Sequence, residues 1–547
     1  MSLRSSAETL TKSGYDWALR RWRTHSPAGR AVARRRAACD RMLNDLARSA
    51  GRRFEGTVLV DAMWDNPNYW LRYALLRAGL GLSRAREIGL LGEYKRNECR
   101  DTLEAFGIRE VESYRDIPVS DTVSQQADRL LAETRSAEDI LHWTLPNGVH
   151  PALVYDGILK RQRLASVDVG RSDFREHVIE ALSAINRADK LLDRHAFDLL
   201  VISHPLNFSY GLLAWAALSR GITVVVPFGL FGVLRFMRMR EPHDLFRFYD
   251  KPSLDEIAAL PQGRSEHLAR AGRDYLRGRM SGRADDLAAI FAYTRNNRRI
   301  DRAELCARYG WDPQKPIVGF YGSNWYDWPH QLGMTQFRDF LDWTEATFET
   351  ARANDRVNWL FKPHPAEDWF GGIGLSDILA RLGTAPQIAI ADKSWGNDAV
   401  MNSIDALITY HGTAGIEFAA LGKPVLVPDR GRYEDFGFVT LAPSRQAYIE
   451  MLGRDWWRDI DLEQRRRAAE IFAGLCFCAP DWQGDFILAD DSRQDELYKS
   501  IPPLVADNPG PVTREIDALG QWWKSGLPYY HTSKMLMAED FRVTNIK

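Results

Sequence analysis

Two short runs carry the residue types that could seat a nucleotide. In residues 407–429, LITYHGTAGIEFAALGKPVLVPD, a hydrophobic strand pattern breaks into His411-Gly412-Thr413-Ala414-Gly415 and resumes at helical spacing through Ile416 to Leu421. Two glycines let backbone N–H groups come close to an anion, Thr413 adds a hydroxyl donor, and the start of a helix adds partial positive charge. Together they would form a phosphate seat. Glu417 falls about one turn into that helix, near enough the same mouth to accept hydrogen bonds from ribose hydroxyls. Gly422-Lys423-Pro424 then ends the helix. Upstream, residues 358–365, NWLFKPHP, close a second strand pattern on Lys362 and on His364, which sits between two prolines. Strand alternation leaves open that Lys362 faces the other way. An ordinary strand-turn-helix needs one glycine, not His, Gly, Thr and Gly together.

The elements that must hold these residues alternate strand with helix. Strand patterns are expected at 56–62, 88–92, 199–204 and 223–228, and again at 316–321, 359–362, 388–391, 406–410, 425–427 and 439–441. That reads as an α/β chain of two Rossmann-like domains facing a cleft. The expected division is a basic helical segment at 1–50, an acceptor domain with helical insertions at 51–310, a nucleotide-donor domain at 311–480, and a tail with a helix at 481–547. Open sheets bind ligands at the carboxyl ends of their strands, so His204 becomes a candidate base. Asp156, Asp61 and Asp65 lie at strand ends or turns of the first half and are candidate bases or nucleophiles, Asp156 foremost; a turn aspartate more often just caps a helix. Trp64, Trp70, Trp325 and Trp328 fall near strand ends and could stack on sugar, although tryptophans usually serve the core.

A chain of 547 residues is too long for one core, and 45% hydrophobic with 27% charged residues suits a globular protein. The net charge of -1 gives no general pull toward nucleic acid. The cysteines are scattered and odd in number, which fits a reducing cytoplasm, and Cys476-Phe477-Cys478 lacks a second ligand pair for zinc. No run reaches the roughly 18 apolar residues of a spanning helix, and the start lacks a signal-peptide core. Arg20, Arg21, Arg23, Arg30, Arg34, Arg35, Arg36 and Arg41 alternate with Ala, Leu and Trp, so this segment could lie on an anionic membrane face at the inner side; a solvated helical cap is an equal reading. No Asp-x-Asp motif stands in a strand-end context, so no metal is expected, and no cofactor beyond the nucleotide-sugar donor as substrate.

Lys362-Pro363-His364-Pro365, His411 to Glu417 and Gly422-Lys423-Pro424-Val425 resemble motifs of the bacterial capsule and surface polysaccharide biosynthesis proteins, GT-B glycosyltransferases whose better understood members transfer Kdo from CMP-Kdo. The resemblance covers residues 316–443, with weaker echoes at 154–159 and 203–223. The His-Pro pair also resembles that of bacterial sialyltransferases and of teichoic acid polymerases that use CDP-glycerol, which implies a cytidine donor. It implies a nucleotide-sugar donor, a glycan or glycolipid acceptor, donor-site roles for Lys362, His364, His411, Gly412, Thr413, Gly415 and Glu417, and transfer aided by Asp156, His204 and His364. A departing nucleotide gathers negative charge on phosphate oxygen, and in that chemistry His364 could bind the phosphate and, if protonated, give it a proton. The E-x7-E pattern of many retaining GT-B enzymes is missing, because Val425 stands eight residues after Glu417. A nucleotide-sugar epimerase, a CDP-glycerol-type polyol-phosphate transferase and a non-catalytic assembly or export factor remain the alternatives.

Overall fold

The computed structural model describes residues 26–48, 53–93, 95–228, 234–248, 251, 254, 258, 260, 262–283, 293, 299–364, 367, 373–480, 494–531 and 541–542. Its strands are β1 (Thr57–Ala62), β2 (Arg86–Leu91), β3 (Glu110–Ser113), β4 (Leu199–Val201), β5 (Thr223–Phe228), β6 (Arg235–Met239), β7 (Ile317–Tyr321), β8 (Asn358–Lys362), β9 (Ile388–Ile390), β10 (Ala406–Ile408), β11 (Val425–Val427), β12 (Thr440–Leu441), β13 (Ala479–Pro480), β14 (Tyr529–His531) and β15 (Phe541–Arg542). The first sheet runs β14-β6-β5-β4-β1-β2-β3 and the second β12-β11-β10-β7-β8-β9, while β13 and β15 pair separately. Counted within its own half, each large sheet has its strands in the order third, second, first, fourth, fifth, sixth, the order of a doubly wound nucleotide-binding sheet, and the first adds β14 beyond β6. The second sheet is parallel throughout. The first is parallel from β3 to β5, and β6 then turns antiparallel. The expected pair of Rossmann-like domains is present.

The sheet order decides where ligands can bind. Strand direction of travel reverses between β1 and β4 and between β7 and β10, so a crevice opens at the carboxyl ends of each pair. Both faces of each sheet are covered, which is why the strands read as continuous apolar runs. On β1, Val58, Val60 and Ala62 enter one core, while Leu59 enters another that also holds Val318, Phe320, Ile408 and Leu426 of the second sheet. One apolar cluster therefore joins the halves.

Two segments pack across between the halves. The helix Gln262–Met280, assigned to the first domain, packs against Leu462–Phe477 of the second. A Cβ on Gly272 would run into the Glu470 carbonyl oxygen, and one on Gly474 into that of Leu268, so the helices cross backbone to backbone at two glycines. The tail returns to the first half: helix Pro509–Ser525 packs on Pro67–Leu80, and β14 pairs antiparallel with β6.

Arg20, Arg21 and Arg23 lie outside the described residues, but the helix Pro27–Arg48 is an integral part of the first half. Arg36 points inward, donating to both Asp65 oxygens at 2.8 and 2.7 Å, to Thr102 Oγ1 at 2.7 Å and to the Glu98 carbonyl at 2.8 Å. Burial alone would raise the Asp65 pKa; the Arg36 guanidinium reverses this and holds it below the usual range. Arg30, Arg34, Arg41 and Arg48 are exposed. Arg36→Ala, which strips a buried carboxylate of its main partner, is expected to cost roughly 3–5 kcal/mol in urea unfolding. Arg41→Ala is expected to stay within about 0.5 kcal/mol, and equal losses for the two would refute an integral role for this helix.

Candidate active site

At the switch point of the second sheet, β10 runs through Thr409 and Tyr410 to His411, and the helix Thr413–Ala420 starts with Gly412 as its cap. The Gly415 amide is taken by the Gly412 carbonyl at 3.0 Å, and among the described residues the Thr413 and Ala414 amides remain the open donors of the helix mouth. Gly415 was expected for close backbone approach to a ligand; the structure gives it a packing reason. A Cβ there would collide with the Tyr433 hydroxyl, which donates to the Gly412 carbonyl at 2.8 Å and pins the loop.

His411 is partly buried among the rings of Phe248, Phe340 and Tyr410, at centroid distances of 5.8, 5.6 and 5.8 Å. Its Nδ1 is buried and makes no hydrogen bond among the described residues. Burial first, then the nearby Arg432 and His364, push its pKa down to about 3. Burial likewise pushes that of His364, beyond the end of β8, down to about 4. His364 thus lies near enough to act on His411, and burial keeps both rings neutral at pH 7. A phosphate bound beside either ring would raise that ring's pKa, so a proton would be taken up with the ligand.

Lys362 is buried, with its Nζ donating to the Trp395 carbonyl at 3.5 Å, and burial, offset in part by Asp392, lowers its pKa to about 8. Glu417 is 1% exposed and does not stand open at the mouth. Its Oε1 accepts from Arg279 Nε at 2.5 Å and its Oε2 from the Tyr293 hydroxyl, so both oxygens that were expected to meet ribose are engaged. Arg279, Tyr293 and Tyr433 were not singled out from sequence. Arg279 ends a charged helix more than a hundred residues before Glu417, and only the fold brings them together.

In the first half the candidates separate. Asp156 is not in a turn but inside the helix Pro151–Gln162, fully buried. Its neighbour Gly157 leaves room for the Phe208 ring, which packs where a Cβ would lie. The Asp156 carboxylate faces His330 Nδ1 at 2.7 Å and accepts the Gln331 amide at 3.0 Å, while Gln331 Nε2 donates to the Pro205 carbonyl at 2.9 Å. Asp156 thus ties the loop after β7 to the first half and has no free oxygen to offer a substrate. Close by, Trp328 adopts a left-handed backbone (φ 47°) just before Pro329, with Lys160 Nζ 4.1 Å from its ring centroid.

Asp65 is committed to Arg36. Asp61, whose pKa burial raises to about 6, accepts from the Met63 amide at 2.7 Å and the Ser203 amide at 2.9 Å. It braces the loops after β1 and β4, which carry Trp64 and His204 edge to face at 6.1 Å. His204 Nδ1 is 3.0 Å from Ser203 Oγ, and burial lowers the ring's pKa to about 4. His204 and His411 each stand three residues past the fourth strand of their own sheet, β4 and β10.

Among the described residues no group of three or more His, Cys, Asp or Glu could hold a metal ion, and no helix is long and apolar enough to cross a membrane. A cleft of about 360 Å³, lined in part by Thr335, Gln336, Arg430 and Arg445, opens at the carboxyl ends of β11 and β12.

No family model matches the chain, and no curated protein matches it. Among solved structures it is similar to Thermosulfurimonas dismutans KpsC, a beta Kdo 2,4 transferase, at 14% identity over 50% of this chain and 79% of that one, with a TM-score of 0.31. It is also similar to UDP-GlcNAc 2-epimerase from Neisseria meningitidis bound to UDP-GlcNAc, at 11% identity, 83% and 100% coverage and a TM-score of 0.23. A third is S. aureus MnaA with UDP, at 10% identity, 81% and 94% coverage and a TM-score of 0.25. At these values the likenesses carry no argument, and the fold rests on the strand order above.

Two outcomes follow from this geometry. Asp156→Ala is expected to cost roughly 3–5 kcal/mol in urea unfolding with nucleotide affinity unchanged; lost affinity at unchanged stability would return Asp156 to the site. Because the unliganded histidines titrate near 4 and 3, binding a phosphate takes up protons. Calorimetric affinity for CMP should therefore rise as pH falls from about 8 to 6.5, above the phosphate's own ionisation near 6, by up to about tenfold per unit for each proton gained. A flat profile would mean that neither ring changes charge on binding.

Proposed function

We propose that the protein is a glycosyltransferase that moves a sugar from a nucleotide-activated donor, a cytidine nucleotide such as CMP-Kdo, to a growing bacterial surface or capsular glycan. The observation that supports this best is the pairing, at the β7/β10 switch point, of the Thr413 and Ala414 amides at the helix mouth with the buried Nδ1 of His411, all without hydrogen-bond partners among the described residues. An anion seat at that place suits the phosphate of a nucleotide. The preference for cytidine is supported by the motif resemblance at 362–365, 411–417 and 422–425. In this reading the donor phosphate rests on the Thr413 and Ala414 amides, and His364 and His411, protonated from solvent when the donor binds, stabilise the negative charge that gathers on phosphate oxygen as its bond to the glycosyl carbon breaks. The acceptor hydroxyl gives its proton to His204, the one first-half candidate that keeps a ring nitrogen, Nε2, without a hydrogen bond among the described residues. Positive charge comes from the chain itself, without a metal. The exposed Arg30, Arg34, Arg41 and Arg48 support a peripheral position on an anionic membrane inside the cell.

A thermal-shift comparison of CMP, CDP, UDP, GDP and dTDP tests the donor half. Cytidine nucleotides should raise the melting temperature most, reflecting about 2.7 kcal/mol at a hundredfold excess over Kd; stabilisation by uridine nucleotides alone, or by none, would refute the assignment. Epimer formation from a nucleotide sugar with no acceptor present would replace transfer with epimerisation. For the acceptor half, His204→Asn should lower kcat by roughly 10²–10⁴. The acid limb of kcat/KM should fall near pH 4, the value to which burial brings His204, and a limb near pH 6.5 would point to a different base.

A further inference from the structure

Behind the helix mouth lies a residue that touches no ligand position yet acts on one that does. Arg279 is 1% exposed and ends the helix Gln262–Met280 that crosses Leu462–Phe477 at Gly272 and Gly474. Its Nε donates to Glu417 Oε1 at 2.5 Å, its Nη1 to the Tyr275 hydroxyl at 3.3 Å, and its Nη2 to Thr413 Oγ1 at 3.2 Å. The far oxygen of Glu417 is held by the Tyr293 hydroxyl, which in turn accepts from Asn397 Nδ2 at 3.2 Å. The chain of bonds thus runs from Asn397 through Tyr293, Glu417 and Arg279 to the first residue of the Thr413–Ala420 helix.

We propose that Arg279 is a positioning residue that makes the Thr413 hydroxyl a directed donor for an anionic oxygen. This rests on the phosphate seat proposed above. A hydroxyl has one hydrogen and two lone pairs. Arg279 can only donate, so it occupies a lone pair of Thr413 Oγ1 and leaves the hydrogen to point elsewhere. Thr413 is partly exposed at the helix mouth, where that hydrogen adds to the open Thr413 and Ala414 amides. Glu417 neutralises the guanidinium, so the pair contributes direction more than net charge. A cation would find one hydroxyl lone pair already used and a guanidinium at its back. The seat is therefore selective for phosphate over a metal ion, and Glu417 serves it by holding Arg279 instead of meeting ribose.

Calorimetry on the full chain with CMP, and separately with inorganic pyrophosphate, tests this through coupling. Arg279→Lys and Thr413→Ala should each weaken both ligands by roughly tenfold, the loss of one hydrogen bond to a charged group. The double variant should be no weaker than about tenfold, because Arg279 acts through the hydroxyl that Thr413→Ala removes. Thr413→Ser, which keeps the hydroxyl, should bind as the parent does. If Arg279→Lys fails to fold, the charge-removing pair Arg279→Met with Glu417→Gln takes its place in the same cycle. A double variant weakened by roughly a hundredfold would mean additive, independent effects and would overturn the proposal, as would an unchanged affinity in Arg279→Lys. If the parent binds pyrophosphate but not CMP, the cytidine reading fails while the coupling stands or falls on the pyrophosphate data. If it binds neither, both fall.

Discussion

A guanidinium and a carboxylate buried together, Arg279 and Glu417, set the terms for the second half of this protein. Each ion costs several kcal/mol to bring out of water, and the pair is tolerated only with close geometry and further hydrogen bonds. Tyr275, Tyr293 and Thr413 supply those bonds. The helix that delivers Arg279 must then lie close enough to the second sheet, and it does so by crossing its neighbour at two glycines, where any side chain would hold the backbones apart. The start of the Thr413–Ala420 helix is thereby held from behind by Arg279 and from the side by Tyr433. A phosphate seat made of backbone amides works only if those amides are fixed before the ligand arrives.

The other half of the account concerns how the two sheets meet. The loop after β7 leaves the second switch point and is tied to the first half by Asp156, by Pro205 through Gln331, and by Tyr155 and Ser166, which donate to Asp339 at 2.5 and 2.6 Å. With an apolar cluster shared across the same boundary, the halves are held together by both packing and buried polar bonds. Trp328 keeps a backbone conformation costing of order 1–3 kcal/mol in the middle of this loop, which persists where the surroundings over-determine it. The two histidines after the fourth strands, His204 and His411, are thus set on scaffolds whose relative position is fixed by the same contacts.

Most of the strands were legible because parallel strands covered on both faces are apolar almost throughout, as in IVGFY and, apart from Thr57 and Asp61, in TVLVDA. The strands that escaped notice do not meet that condition. Glu110–Ser113 is an edge strand with partly buried polar residues, and Arg235–Met239 carries two buried arginines. The turn at His411 to Gly415 was legible as a ligand loop because its composition exceeds what a turn requires. The functions of Asp156 and Glu417 were not, since a carboxylate's partner decides whether it serves a substrate or a structure, and both partners, His330 and Arg279, lie more than a hundred residues away in sequence. The same limit holds for Gly157 and Gly415: each glycine makes room for a ring, Phe208 or Tyr433, that local sequence cannot place.

The central claim is that the β7/β10 switch point holds the donor phosphate, and a crystal structure with CMP bound tests it most directly. Phosphate oxygens within hydrogen-bonding distance, about 2.7–3.2 Å, of the Thr413 amide and hydroxyl, with a ring nitrogen of His411 or His364 against the same group, is the predicted result. A nucleotide whose phosphate lay instead in the cleft beside Arg430 and Arg445, with the Thr413 mouth filled only by water, would contradict it.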